Sequence, residues 1–296
     1  MTKQILVPLD GSREAEAILS EVQRIAAVRD QVHFLHLLPP LPAPVGLGPT
    51  HVLTLHQQAE AYLDVARERW LYEQKGVDVV GTGDPATGIL AYALEKNIDL
   101  IAMTTHGRGG MARFLFGSVA ATVVRKAQLP VLLTRPGIPH PTRPLKRILV
   151  SVAGSETPND LLTTVKSLAR GPDTDIVLFH AVPPVQDPAP QWALETPLSL
   201  NSRPEHYLQE LADSLEEQGY TAWPSVLSGD PEEKILEQAK KLDVDLIALA
   251  THARTGLERL MAGSVAEGVL RKSPVSVLLQ KPLVIHHPAL KGEPHE

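Results

Sequence analysis

The sequence carries its own pattern twice, and that duplication limits the folds open to it more than any other feature. Asp99-Leu-Ile-Ala-Met-Thr-Thr-His-Gly-Arg108 returns 146 positions later as Asp245-Leu-Ile-Ala-Leu-Ala-Thr-His-Ala-Arg254. Across residues 99–126 and 245–272, 16 of 28 aligned positions are identical. Gly83-Asp84-Pro85 recurs as Gly229-Asp230-Pro231, and Ile5-Leu6-Val7 as Ile148-Leu149-Val150. His36 with Pro39 and Pro40 recurs as His180 with Pro183 and Pro184. Matches kept in order along the whole length mean a tandem duplication rather than one shared motif. The junction at residues 136–144 holds four prolines in nine positions and reads as a stiff linker. The expected units are 1–136 and 146–281, with a polar, proline-rich tail at 282–296 expected to be loosely ordered.

Within one unit, two hydrophobic periods alternate. Residues 5–9 form a short apolar run stopped by Asp10-Gly11-Ser12, a buried strand ending in a turn. Ser12 suits the N-cap of a helix running to about residue 28. A second strand is expected at 32–38, a long proline-rich loop at 39–49, and a helix at 51–75 closed by Gly76. A strand at 77–81 follows, then a helix at 84–96 that opens with a capping Asp and a first-turn Pro. The unit closes with a strand at 98–103, a helix at 114–127 and a strand at 131–134. The second unit repeats this order from Arg147 to Leu279. Strands alternating with helices, and apolar on both faces, predict an α/β fold. Each unit is expected to be a doubly wound domain, a five-stranded parallel sheet with four helices.

Composition removes several classes of function. The net charge of −6 gives no bulk attraction to nucleic acid or an anionic membrane. With no cysteine there is no disulfide, thiolate metal site or cysteine nucleophile. No apolar run reaches the ~18–20 residues of a membrane span, and Asp10, Arg13 and Glu14 interrupt any signal-peptide pattern. The reading is a cytoplasmic protein with no nucleic-acid or membrane partner.

In doubly wound sheets ligands lie beyond the carboxyl ends of the strands, near a topological switch point. There the sequence places Pro8-Leu9-Asp10-Gly11-Ser12 after strand one. It places Met103-Thr104-Thr105-His106-Gly107-Arg108 at the end of strand four, and Gly117-Ser118-Val119 in the following helix. Glycines near a helix start allow close backbone approach and offer free amides to anionic oxygens. Ser118 adds a hydroxyl, Arg108 and Arg113 add charge, and Asp10 offers an acceptor to a ribose hydroxyl or adenine amine. No Gly-Lys-Ser/Thr follows, so this is not a Walker loop. Structural readings stand beside these. Asp10 also suits a turn, Gly117-Ser118 a close helix–strand approach, and His106, His252, His36 and His180 bonds to loop carbonyls. The pair His286-His287 lacks spaced partner ligands, so no metal site is assigned. No catalytic set is assigned either.

Ile5-Leu-Val-Pro-Leu-Asp-Gly-Ser12, the strand-two ending Leu35-His36-Leu37-Leu38, and Thr-His-Gly followed by Gly117-Ser118 resemble the universal stress protein family. The resemblance covers nearly the whole chain, twice, as in the family's tandem members. It implies an adenine-nucleotide hydrolase-like fold and a nucleotide motif of Gly, two residues, Gly, nine residues, then Gly and Ser or Thr. Those positions here are Thr104, Gly107, Gly117 and Ser118, so Thr104 departs from the first glycine. It further implies that Asp10 meets adenosine, that the Leu37 main chain meets adenine, and that the glycines and Ser118 hold ribose and phosphates. Pro8, Met103 and Val119 would be walls, with Leu9, His106 and Arg108 beside them. The ligand implied is ATP, or AMP or ADP, with or without Mg2+. The family's pairing through strand five implies an internal pseudo-dimer of the two halves, leaving open a homodimer of chains.

The second half departs further: Ser151, Ala153, Ala250 and Ala253 stand where the first has Pro8, Asp10, Thr104 and Gly107. Only Gly263 and Ser264 remain, so nucleotide is expected in the first half and weakly or not at all in the second. The expected function is a nucleotide-binding stress sensor or regulator with little or no turnover. The alternatives are a non-binding tandem scaffold acting through protein partners, and a slow ATP hydrolase.

Overall fold

The computed structural model describes residues 2–40, 49–70, 75–106, 117–138, 141–152, 159–182, 204–250 and 264–281. The N-terminal half runs β1 (Gln4–Pro8), α1 (Arg13–Glu16), α2 (Ile18–Ile25), β2 (Gln31–Leu38), α3 (Pro49–Trp70) and β3 (Lys75–Thr82). It continues through α4 (Pro85–Glu95), β4 (Leu100–Thr104), α5 (Ser118–Lys126) and β5 (Val131–Thr134). The C-terminal half runs β6 (Arg147–Ser151), α6 (Asn159–Leu168), β7 (Asp175–Val182), α7 (Pro204–Glu217) and β8 (Thr221–Ser228). It closes with α8 (Pro231–Lys241), β9 (Leu246–Ala250), α9 (Ser264–Lys272) and β10 (Ser276–Gln280).

The strands form one sheet in the order β3-β2-β1-β4-β5-β10-β9-β6-β7-β8. Each half is parallel, and its strand order reverses between β1 and β4, or between β6 and β9. The halves join where β5 and β10 pair antiparallel, Leu132 opposite Leu278. This is the internal pseudo-dimer that the family resemblance implied. One continuous core lies under α1, α2, α3, α6 and α7, and a second lies on the opposite face under α4, α5, α8 and α9. Both cores draw residues from both halves, so the seam is buried on either side.

The repeated Asp has the same task in each copy. Asp99 Oδ2 accepts from the Gln4 amide at 2.8 Å, and Asp245 Oδ2 accepts from the Lys146 and Arg147 amides at 2.7 and 3.1 Å. Each carboxylate thus ties the turn before its own strand to the start of the half's first strand. Asp245 has a further role. Its carboxylate meets Arg24 of α2 at 2.6 Å and Arg143 of the junction at 2.9 Å, and Arg24 also holds Glu21 at 3.0 Å. Burial pushes the Asp245 carboxyl up, but the Arg143, Lys146 and Arg147 donors and the Arg24 charge together hold it below its usual value.

Several boundaries differ from the sequence reading. The first helix breaks at Ala17, whose N–H bonds back to the Glu14 carbonyl, and it ends at Ile25 instead of near residue 28. Asp30 stops it by accepting from the Ala27 amide at 2.8 Å. The expected helix 51–75 is α3, Pro49–Trp70, and Gly76 lies within β3 instead of closing the helix. The Arg67 side chain crosses Gly76, where a Cβ would come within 2.2 Å of Arg67 Cδ, so a larger residue there would have to displace that arginine. The helix expected at 114–127 is described only as Ser118–Lys126, with 107–116 outside the described residues. Strand four is shifted to Leu100–Thr104 and strand three extends to Lys75–Thr82. The junction is anchored at both sides of residues 139–140, by Arg135 bonding the Ser273 carbonyl at 2.5 Å and by Arg143 on Asp245. Most of the proline loop (41–48) and the tail beyond Lys281 lie outside the described residues.

Candidate functional site

At the reversal between β1 and β4 the two strands' continuations part, leaving a crevice beyond their carboxyl ends. Asp10 stands on its β1 side. Its Oδ1 accepts from the Ser12 amide at 3.0 Å and the Ser12 hydroxyl at 2.5 Å, while the Ser12 oxygen accepts from the Ala15 amide at 3.1 Å. The turn needs Gly11, which has φ of 82°. Asp10 is thus locked to the start of α1, and the turn reading and the ligand reading of this residue describe one geometry.

Strand β2 passes the end of β1 and supplies the second wall. The Leu35 carbonyl accepts from Leu9 on one side, and the Leu38 carbonyl accepts from Gly83 on the other. Alternate residues of a parallel strand turn their amide and carbonyl to the same neighbour. Leu37 therefore turns both toward β1's side, where β1 has already ended at Pro8. Its side chain is seated between two glycines: a Cβ on Gly81 or Gly88 would meet the Leu37 methyls at 2.8 and 2.7 Å. Gly88 sits inside α4, where glycine is unfavourable, so this seat explains it. The sequence reading missed both glycines because they lie 44 and 51 positions from Leu37 only in chain order, with Leu37 between strands and helix in space.

Across the crevice, Met103 and Thr104 end β4 and Thr105 follows them, all buried. The Thr104 hydroxyl Oγ1 donates to the His106 carbonyl at 2.7 Å, so its proton is committed within the chain. His106 Nδ1 lies 3.1 Å from the Thr105 hydroxyl. Gly117 caps α5 with φ of −63°, and its amide donates to the Thr105 carbonyl at 2.7 Å. Among the described residues, a Cβ on Gly117 would find only ordinary contacts, with the Thr105 carbonyl oxygen at 3.5 Å and His106 Cα at 3.8 Å. Nothing described there packs closely enough against Gly117 to demand a glycine. Ser118 is exposed as the first residue of α5, with Val119 partly buried behind it. Pro8, Leu9, Asp10, Leu37, Met103, Thr104, His106, Gly117, Ser118 and Val119 thus gather at one end of the sheet. Gly107, Arg108 and Arg113 lie outside the described residues.

The C-terminal crevice is built on the same frame with exchanged parts. Val152 donates to the Phe179 carbonyl and Gly229 to the Val182 carbonyl, so Ala181 takes the place of Leu37. Leu227 stands where the first half has Gly81, so the bulk that one half takes from β2 the other takes from β8. His180 Nδ1 lies 2.7 Å from the Val152 carbonyl, the structural role expected for it. Ala153, Ala253, Gly263, His252 and the His286-His287 pair lie outside the described residues. Among the described residues there is no cluster of three His, Asp or Glu side chains able to hold a metal, and no helix is long and apolar enough to cross a membrane.

Two doubly wound units, each with a crevice at its switch point and joined edge to edge, define a tandem α/β protein. A sequence model of the universal stress protein family matches residues 1–135 and 144–281, and the chain belongs to that family. A universal stress protein of Mycobacterium bovis is 25% identical over 307 residues, covering 94% of this chain and 96% of the relative. One from Methanocaldococcus jannaschii is 31% identical over 140 residues, covering 46% of this chain and 82% of the relative. Among solved structures, a universal stress protein from Archaeoglobus fulgidus superposes with a TM-score of 0.70 at 19% identity. That match covers 94% of this chain and 96% of the other and shows the shared tandem fold.

Proposed function

We propose that the N-terminal half binds an adenine nucleotide, ATP, ADP or AMP, and acts as a sensor or regulator with little or no turnover. The observation that carries this reading is the pairing of Leu37 with Gly117. The Leu37 main chain is turned toward the open end of β1, and Gly117 stands at the head of α5, where among the described residues no close contact demands a glycine. An adenine edge suits the first, since it presents one donor and one acceptor to a backbone amide and carbonyl. Phosphate oxygens suit the second, where the helix terminus supplies unpaired amides and a favourable dipole. Asp10, between them, accepts from a ribose hydroxyl or the adenine amine, and Ser118 donates to phosphate. Magnesium would enter with the phosphates of ATP.

Isothermal titration of ATP, with and without magnesium, into wild type and Asp10→Ala tests this reading. The expected result is one equivalent per chain, with binding lost in the variant. Two equivalents would show a working C-terminal crevice, and no binding would transfer the function to the surface of the tandem scaffold.

A further inference from the structure

The ten-stranded sheet ends in two edges, β3 and β8, which hold the same place in the two halves. The terminal hydrogen bonds fix which backbone groups point outward. Gly83 donates to the Leu38 carbonyl with Leu38 opposite Thr82, and Gly229 donates to the Val182 carbonyl with Val182 opposite Ser228. By strand alternation, Gly76, Asp78, Val80 and Thr82 turn their N–H and C=O away from the sheet. So do Ala222, Pro224, Val226 and Ser228 in β8. Pro224 lies opposite Leu178 as Asp78 lies opposite Phe34, so the two are counterparts. A proline facing outward removes the donor that a foreign strand would use, a common guard on sheet edges. The β3 edge has no proline at an outward position, and its one outward charge, Asp78, is held by Arg67. None of its residues is buried, and among the described residues no strand pairs with its outer side. Asp78 adds a second mark: Oδ2 accepts from Arg67 at 2.9 Å, but Oδ1 is buried without a donor among the described residues.

We propose that β3 is a dimerisation edge, pairing antiparallel with β3 of a second copy of this chain about a two-fold axis. The occupant follows from the seam already present, in which counterpart strands β5 and β10 join antiparallel. A β3·β3 contact uses one surface twice and closes on itself. The edges left over are then two β8 strands, each guarded by Pro224, so the assembly stops at two chains and does not grow into a filament.

Sedimentation velocity on the full chain at tens of micromolar, with hydrogen exchange across a dilution series, tests this. The expected species is a dimer, and the β3 amides exchange faster as the protein is diluted. Thr82→Pro, at an exposed outward position, should halve the mass with an unchanged circular dichroism spectrum. Should that variant misfold, the concentration dependence of the wild-type β3 amides still decides. A monomeric wild type overturns the proposal, as does a dimer that survives Thr82→Pro in a folded chain. A dimer whose β3 amides exchange equally at all concentrations joins elsewhere and also overturns it.

Discussion

Asp10 commits one carboxylate oxygen to its own turn, and Thr104 commits its hydroxyl to the His106 carbonyl. A side chain held by its neighbours loses little freedom when a ligand arrives, which favours binding at a site whose residues are prearranged. Leu37 shows the same principle with apolar contacts. Glycine to alanine within a helix ordinarily stabilises by about 0.5–1 kcal/mol. At Gly88 the added methyl would lie 2.7 Å from Leu37, so Gly88→Ala is expected to bring no such gain in thermal unfolding. The displaced Leu37 should weaken ATP binding severalfold in the same protein. A variant that is both stabilised and fully binding would show that Leu37's seat does not set the crevice.

Helix α5 is where a demand of the fold can be told apart from the demand of the proposed ligand. Gly117→Ala adds a methyl with ordinary contacts at φ of −63°, so the cost is that of a poorer N-cap, about 1 kcal/mol. Nucleotide affinity is expected to fall more than tenfold, because the methyl enters the space beside the helix-end amides. Equal ATP affinity in the two proteins, read by titration, would leave Gly117 without a ligand role. Much at this scale was legible in the sequence, because the signals are local. Asp84-Pro85 and Asp230-Pro231 cap α4 and α8 as read, each Asp accepting from the amide three residues on. Gly76 misled because a glycine after a helical pattern reads as its stop, whereas it lies in β3 with the Arg67 side chain of α3 folded over it. Leu37's seat was hidden for a similar reason, since nothing beside Gly88 in the chain names the strand that packs on it. Nothing near Arg24 in the chain points to its partner, which lies 221 positions away.

At the scale of the molecule, that distant pair ties the halves together. Arg24 and Glu21 are almost fully buried, and Asp245 receives Arg24, Arg143 and two amides. Removing one partner from a buried charge set leaves the others uncompensated. Arg24→Leu is expected to cost about 3 kcal/mol in urea unfolding, in the range seen for such losses. Acid gives a second reading of the same cluster. The Asp245 carboxyl is held below its ordinary 3.8, so its contribution is present above that pH and fades as pH falls further. The stability gap between wild type and Asp245→Asn should therefore be steady near neutrality and narrow below pH 3.8. A gap unchanged to pH 2 would mean that the carboxylate's charge contributes nothing.

The seam between β5 and β10 carries one more implication. Because those strands run in opposite directions, the carboxyl ends of the first half's strands and those of the second emerge from opposite rims of the sheet. The molecule therefore has a front and a back. A protein that docks at the rim bearing Asp10 and Ser118 meets only the amino ends of the other half's strands. Changes in the second mouth, such as Ala181 for Leu37, are invisible from the first. Each copy was free to drift on its own side, and the duplicated gene could keep one reading surface while turning the other to a different audience.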